Sequence, residues 1–286
     1  MFRDNAPQRT TAANPQPETG SARQSGTEHA RRVMLVAQAF TDLPGGPAHG
    51  PSEIAEATGL NVAVVYRILQ SGIPSRYFVQ LRGRKYRLGP GAAKIGMQAM
   101  VHTPGTETSH PVLEQLSAAL DAMAMLWVVS PYGSPRRVLA DYAPGRYDLD
   151  ALGLSADELV AVCSSLRVGP SGRVIAAHLP DPLVDTVLTG DIPAGAGPGV
   201  LEEAEDFLAS LPEIRNAGYG VGREEIAGWS EVAAPVLWGD AIYGAISLLK
   251  PSSLLKDTRG AIKRTVAAAD RFSLLVSGGG LPYLAG

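Results

Sequence analysis

Residues 51–71, PSEIAEATGLNVAVVYRILQS, limit what the chain can fold into more than any other stretch. Ser52 predicts an N-cap for a short helix over 53–57, and Asn61 predicts a cap for a second helix over 62–71. Gly59 lies between them, where a tight turn needs a positive φ. Ile54, Ala55, Leu60, Val65, Ile68 and Leu69 then fall on facing sides and form one shared core. A preceding helix over 28–42 carries Val33, Val36, Ala37 and Phe40 at helical spacing, and DLPGGPAHGP stops it. After GIPSR come two alternating segments, 77–81 and 85–88, with Arg82-Gly83-Arg84 as the hairpin turn. Helix, helix, turn, helix, hairpin is the order of a winged helix-turn-helix.

In that motif the first residues of the second helix meet base edges in the major groove. The candidate readers are Asn61, Ala63, Val64, Tyr66, Arg67 and Gln70, since Asn and Gln can pair with adenine and Arg with guanine. Arg76, Arg82, Arg84, Lys85 and Arg87 crowd the wing, where cations suit phosphates or a minor groove. Charge supports this reading. Between Arg31 and Lys94 nine Lys/Arg face three Asp/Glu, whereas 97–286 carries 13 Lys/Arg and 22 Asp/Glu, within a whole chain of net charge −3. A basic segment joined to an acidic remainder points to a nucleic-acid module attached to something else.

At 286 residues the chain is expected to form about two domains. Its longest apolar runs fall far short of a membrane span, and no secretory signal opens it. The single cysteine, Cys163, excludes disulfide frameworks and Cys-based zinc sites within one chain. These features place the chain in the cytoplasm. The expected organisation is a disordered tail over 1–27, a winged helix-turn-helix domain over 28–89, a linker helix over 90–108 and a larger domain over 109–280. In the larger domain helices are predicted at 111–120, 155–165, 201–217 and 257–276. Strands are predicted at 125–130, 137–142, 219–224, 231–237 and 241–248. Ser155 and Glu158 make a capping box, and Pro212 is expected to bend its helix. Strands at both ends with helices between give an α+β sensor-like domain.

Three segments carry a resemblance to a known family. IAEATGLNVAVVYRIL with RGRKYRLGPGAAKIG, then GPSGRVIAAHLP, then LPEIRNAGYGVGREEIAGWSEVAAPVLWGDAIYGAISLLKP together resemble the IclR family of bacterial regulators. The resemblance spans about residues 30–275. It implies a GAF-like effector-binding domain, homodimers or dimers of dimers (homotetramers), and operators near metabolic genes. It also implies pocket positions at Pro170, Ser171, Gly222, Trp229, Glu231, Ser247 and Leu249. One departure stands out. The family's recognition helix opens with polar residues, and here those positions are Val62, Ala63 and Val64, which shifts readout toward the wing, Tyr66, Arg67 or thymine-methyl contacts.

The amides of Ser171, Gly172 and the adjoining Arg173 open a helix, and a helix N-terminus favours an anion. With Trp229 as an apolar face, the expected effector is a small organic acid with a planar or aromatic body. Other chemistries fit poorly. Glu224 and Glu225 are adjacent on a strand and point to opposite faces, so they do not converge as an acid–base pair. Cys163 sits on an apolar helical face without a nucleophile signature, and the five histidines lack ligand spacing. No catalytic residue, metal or cofactor is called for. The reading is a DNA-binding transcription regulator whose operator binding responds to a small-molecule effector. The alternative is a ligand-binding sensor that has lost specific DNA readout and acts through a protein partner.

Overall fold

The computed structural model describes residues 19–100, 105–130, 134–146 and 154–278. Helix α1 runs over Thr19–Asp42, so it starts nine residues before the expected position and takes 19–27 out of the predicted tail; residues 1–18 lie outside the described ones. Helix α2 is Pro51–Thr58 and α3 is Val62–Gly72. The cap of α2 is Gly50, not Ser52. Proline suits the first helical position, and Glu53 turns back to accept the Gly50 amide at 2.8 Å. Gly59 ends α2 at φ 68°, as the tight turn requires. Asn61 caps α3, its Oδ1 accepting the Ala63 amide at 2.8 Å, an arrangement that contributes about 1 kcal/mol.

Strands β1 (Phe78–Gln80) and β2 (Tyr86–Leu88) pair antiparallel, with Arg82–Arg84 as a one-turn connection. His49 makes an isolated antiparallel bridge to β2 of this wing. Its amide donates to the Tyr86 carbonyl at 2.9 Å and its carbonyl accepts the Tyr86 amide at 2.8 Å. Val36, Phe40, Ile54, Val65, Ile68, Leu69, Phe78 and Tyr86 form the common core of this unit.

Helix α4, Pro90–Met100, opens at the expected proline and has no buried residue. Helix α5, Thr106–Leu120, begins before the predicted boundary at 109 and carries Pro111 inside it rather than at its start. Five strands follow: β3 (Met123–Ser130), β4 (Arg136–Ala143), β5 (Gly220–Ile226), β6 (Trp229–Trp238) and β7 (Ala241–Pro251). They form one antiparallel sheet in the order β4-β3-β7-β6-β5. Helices α6 (Ala156–Cys163), α7 (Gly169–Ala176), α8 (Asp181–Leu188) and α9 (Ala204–Ala217) separate β4 from β5, and α10 (Thr258–Val276) is the last element among the described residues. Helix α8 was not predicted from sequence.

Side chains alternate across the sheet, so each face holds its own core. Ala124, Leu126, Val232, Ala234, Ile246 and Leu248 pack on Val112, Leu113, Leu116, Ala261 and Phe272 of α5 and α10. Met123, Met125, Trp127, Ala233, Ala245 and Leu249 pack on the α6–α9 side, with Leu159, Val174, Ile175, Val184 and Phe207. The result is a helix–sheet–helix sandwich, mixed α and β as expected.

Candidate nucleic-acid interface and ligand site

The N-termini of α2 and α3 and the wing enclose a groove of about 930 Å³, lined by Ser52, Glu53, Asn61, Val62, Ala63, Tyr66, Gln80, Arg84 and Lys85. Arg67, Arg76, Arg82, Arg84, Lys85 and Arg87 are all exposed. Lys85 also lies 3.9 Å from Glu53, so its ammonium has a weak internal partner. Two predicted readers are drawn away from the exposed face. Val64 packs against the core, and the half-buried Gln70 donates its side-chain amide to the Tyr86 hydroxyl at 2.7 Å. Val62, absent from the predicted readers, is 46% exposed beside Ala63 and Tyr66.

The predicted effector residues converge in one place. Gly222, Glu231 and Leu249 are register partners in one row of the sheet, and Ser247 pairs with Ala233 in the next. They share the face that α7 covers, and Pro170, Ser171 and Gly172 are buried on α7. Trp229, Glu231, Ser247 and Leu249 are buried as well. This is a close-packed polar cluster rather than an open amide cradle.

Arg137, which the sequence reading missed, organises it. Its guanidinium donates to the Ser171 hydroxyl at 2.8 Å, to the Val168 carbonyl at 2.8 Å and to the Cys163 carbonyl, and it stacks over Trp127 at 5.0 Å from the ring centroid. Ser171 in turn donates to Glu231 Oε1 at 2.6 Å. The other oxygen, Glu231 Oε2, is buried without a partner. Gly169 allows this approach. It has φ 74°, and a Cβ there would sit 2.6 Å from Glu231 Oε2.

A second buried pair adjoins the first. Arg173 donates to Glu225 Oε2 at 2.6 Å, and the Gly169 amide donates to the same oxygen at 2.7 Å. Arg173 therefore points inward and not to solvent. The start of α7 does receive carboxylate oxygen, but from the chain itself. Burial pushes the Glu225 carboxyl above its ordinary range, against the pull of Arg173. Glu224 and Glu225 do point to opposite sides. A positive φ of 63° at Glu224 shifts the strand so that Glu225 turns inward while Glu224 accepts the Gly228 amide outside. Cys163 lies in the same core, its thiol pushed up to about 11, chiefly by burial.

No sequence signal marks Arg137. Strand β4 inverts ordinary polarity: Val138 and Tyr142 are about half exposed, while Arg137 and Asp141 are buried. An irregularity opposite Leu126 and Trp127 sends the two halves of β4 to opposite faces of the sheet. On the far face Asp141 accepts from Ser109 Oγ at 2.5 Å and sits 3.0 Å from His110 Nδ1.

Neither a protein-family model nor a curated protein sequence matches the chain. Solved structures do. A protein of a Rhodococcus species assigned to transcriptional regulation superposes with TM-score 0.53 at 20% identity, over 88% of this chain and 99% of that one. An IclR homologue of Microbacterium hydrocarbonoxydans, in complex with 4-hydroxybenzoate, gives 0.52 at 18% identity over 87% and 99%. The IclR protein of Thermotoga maritima gives 0.51 at 17% identity over 88% and 98%. At these identities the likeness speaks for the architecture alone: the chain shares the fold of these proteins, a winged-helix unit followed by a helix-flanked antiparallel sheet.

Proposed function

We propose that the chain is a transcription regulator of the IclR type, binding operator DNA through α3 and the wing and releasing or re-posing on it when a small effector binds under α7. The carrying observation is the groove itself: the N-terminus of α3 opens into it, and exposed Arg82, Arg84, Lys85 and Arg87 line or flank it. Such a groove meets bases and phosphates at once. Two-fold pairing of the chain would match a palindromic operator. In support, Met34 of α1 and Ile95 of α4 are 66% and 61% exposed, large apolar side chains that a second copy can cover. The protein would act in the cytoplasm, where operators are.

The effector is a small organic acid with a planar body. Two buried guanidinium groups, Arg137 and Arg173, and the Trp127 and Trp229 rings on the same side of the sheet support this. So does 4-hydroxybenzoate in the Microbacterium homologue. Glu225 and Glu231 hold the cationic positions internally, so an acid binds by taking a guanidinium or Ser171 from one of them. That exchange moves α7 relative to the sheet and gives the ligand a differential effect on two states. The test is calorimetric titration with a panel of benzoates, alcohols and sugars, repeated on operator binding. Aromatic acids are expected to bind and to change DNA affinity. Preference for a sugar, or binding without any change in DNA affinity, contradicts the reading.

A further inference from the structure

The first turn of α3 presents aliphatic side chains, and the exposed hydrogen-bonding groups further along the helix include Arg67 and the Tyr66 hydroxyl. Its exposed positions follow helical spacing: Val62 with Tyr66, and Ala63 with Arg67, each four residues apart. Val62 and Tyr66 are 46% and 48% exposed, large apolar surfaces beside a basic wing. The polar candidates nearby have internal roles. Asn61 Oδ1 holds the Ala63 amide, and Gln70 donates to the Tyr86 hydroxyl. What the body of α3 turns into the groove is therefore two aliphatic side chains and an aromatic ring, with Arg84 and Lys85 of the wing beside them and Ser52, Glu53 and Gln80 completing the lining.

In the major groove only thymine presents an apolar group, its C5-methyl. Charge complementarity names DNA as the occupant of the groove, and the apolar floor then names the base. We propose that α3 selects its DNA through thymine methyl groups met by Val62, Ala63 and the ring of Tyr66, so that the preferred half-site carries A·T pairs at the positions under the first turn of α3. This rests on the regulator reading above. It adds what that reading leaves open, the class of sequence bound.

The experiment is selection from a random-sequence duplex pool with the full chain, followed by affinity measurements on the selected duplex made with thymine or with uracil. Uracil keeps every hydrogen-bonding group of thymine and lacks only the methyl. The expected result is a selected motif containing A·T pairs, with affinity falling about fourfold for each contacted methyl removed. In the variant Val62→Ser the thymine–uracil difference shrinks. In Arg84→Ala both duplexes weaken alike, because the lost contact is to phosphate. Equal affinity for thymine and uracil duplexes in the unmodified chain, or selection of a motif without A·T pairs, overturns the inference while leaving the regulator reading in place. Failure to retain any duplex above competitor overturns both.

Discussion

The Ser171 hydroxyl donates to Glu231 Oε1 at 2.6 Å while accepting from Arg137 at 2.8 Å, so a single serine on α7 joins a buried cation to a buried anion. All three residues are buried. Breaking such an arrangement from one side leaves an uncompensated charge in the core. Replacing Arg137 by Met is expected to cost about 3–5 kcal/mol of stability, because Glu231 loses the cation behind Ser171. Replacing Glu231 by Leu in the same protein should recover much of that loss. Urea unfolding of the single and double variants measures both. A cost under about 1 kcal/mol for the single change, the range of an exposed ion pair, would mean that the cluster is hydrated and not a closed core.

Cys163 supplies a chemical check on the same region. Its thiol is pushed up to about 11 by burial, with the Arg137 charge opposing the shift. The thiolate, which is the reactive form, is scarce at neutral pH. The folded protein should therefore resist a thiol-directed reagent that labels the urea-unfolded chain within its ordinary reaction time. Rapid labelling of the native protein would place Cys163 in an accessible, electropositive setting and reopen a nucleophilic role.

The helix-turn-helix was legible because its signals are local. Asn61, Gly59 and the apolar spacing of Ile54, Val65, Ile68 and Leu69 act within a few residues of one another. The faces of the sheet were partly legible, since Gly222, Glu231, Ser247 and Leu249 do share one side. Arg137 was not, because its partners Cys163, Val168 and Ser171 lie more than twenty residues away in sequence. The same limit hid the occupants of the α7 start. Glu225 and Glu231 lie more than fifty residues beyond Gly169 and Ser171, and only the sheet brings them together. Nor did Gln70 betray its bond to Tyr86, which depends on how the wing folds back on α3.

His110 gives a pH-dependent readout at the start of α5. Asp141 lies 3.0 Å from its Nδ1 and Glu114 lies 3.7 Å from its Nε2, and the hydrogen bond to Asp141 raises its pKa above the ordinary histidine value. A raised histidine pKa favours the folded state while the ring is charged. The contribution is present below the unfolded pKa of about 6.5 and is lost as pH rises through the folded value. Following the His110 ring by NMR should give a midpoint above 6.5, and Asp141→Asn should lower it. An unchanged midpoint in Asp141→Asn would show that the pair does not persist in solution.

The central claim is that α3 and the wing hold duplex DNA, and its most direct test is the salt dependence of affinity. Fluorescence anisotropy with a labelled duplex from selection, over a series of salt concentrations, gives the slope of log K against log salt for the unmodified chain and for Arg84→Ala. Each neutralised phosphate contributes about 0.9 to the slope's magnitude. The expected result is a steep negative slope in the unmodified chain that becomes shallower by about one in Arg84→Ala, with affinity reduced across all sequences. A flat slope in the unmodified chain, or an Arg84→Ala slope equal to it, would contradict the assignment of this groove to DNA.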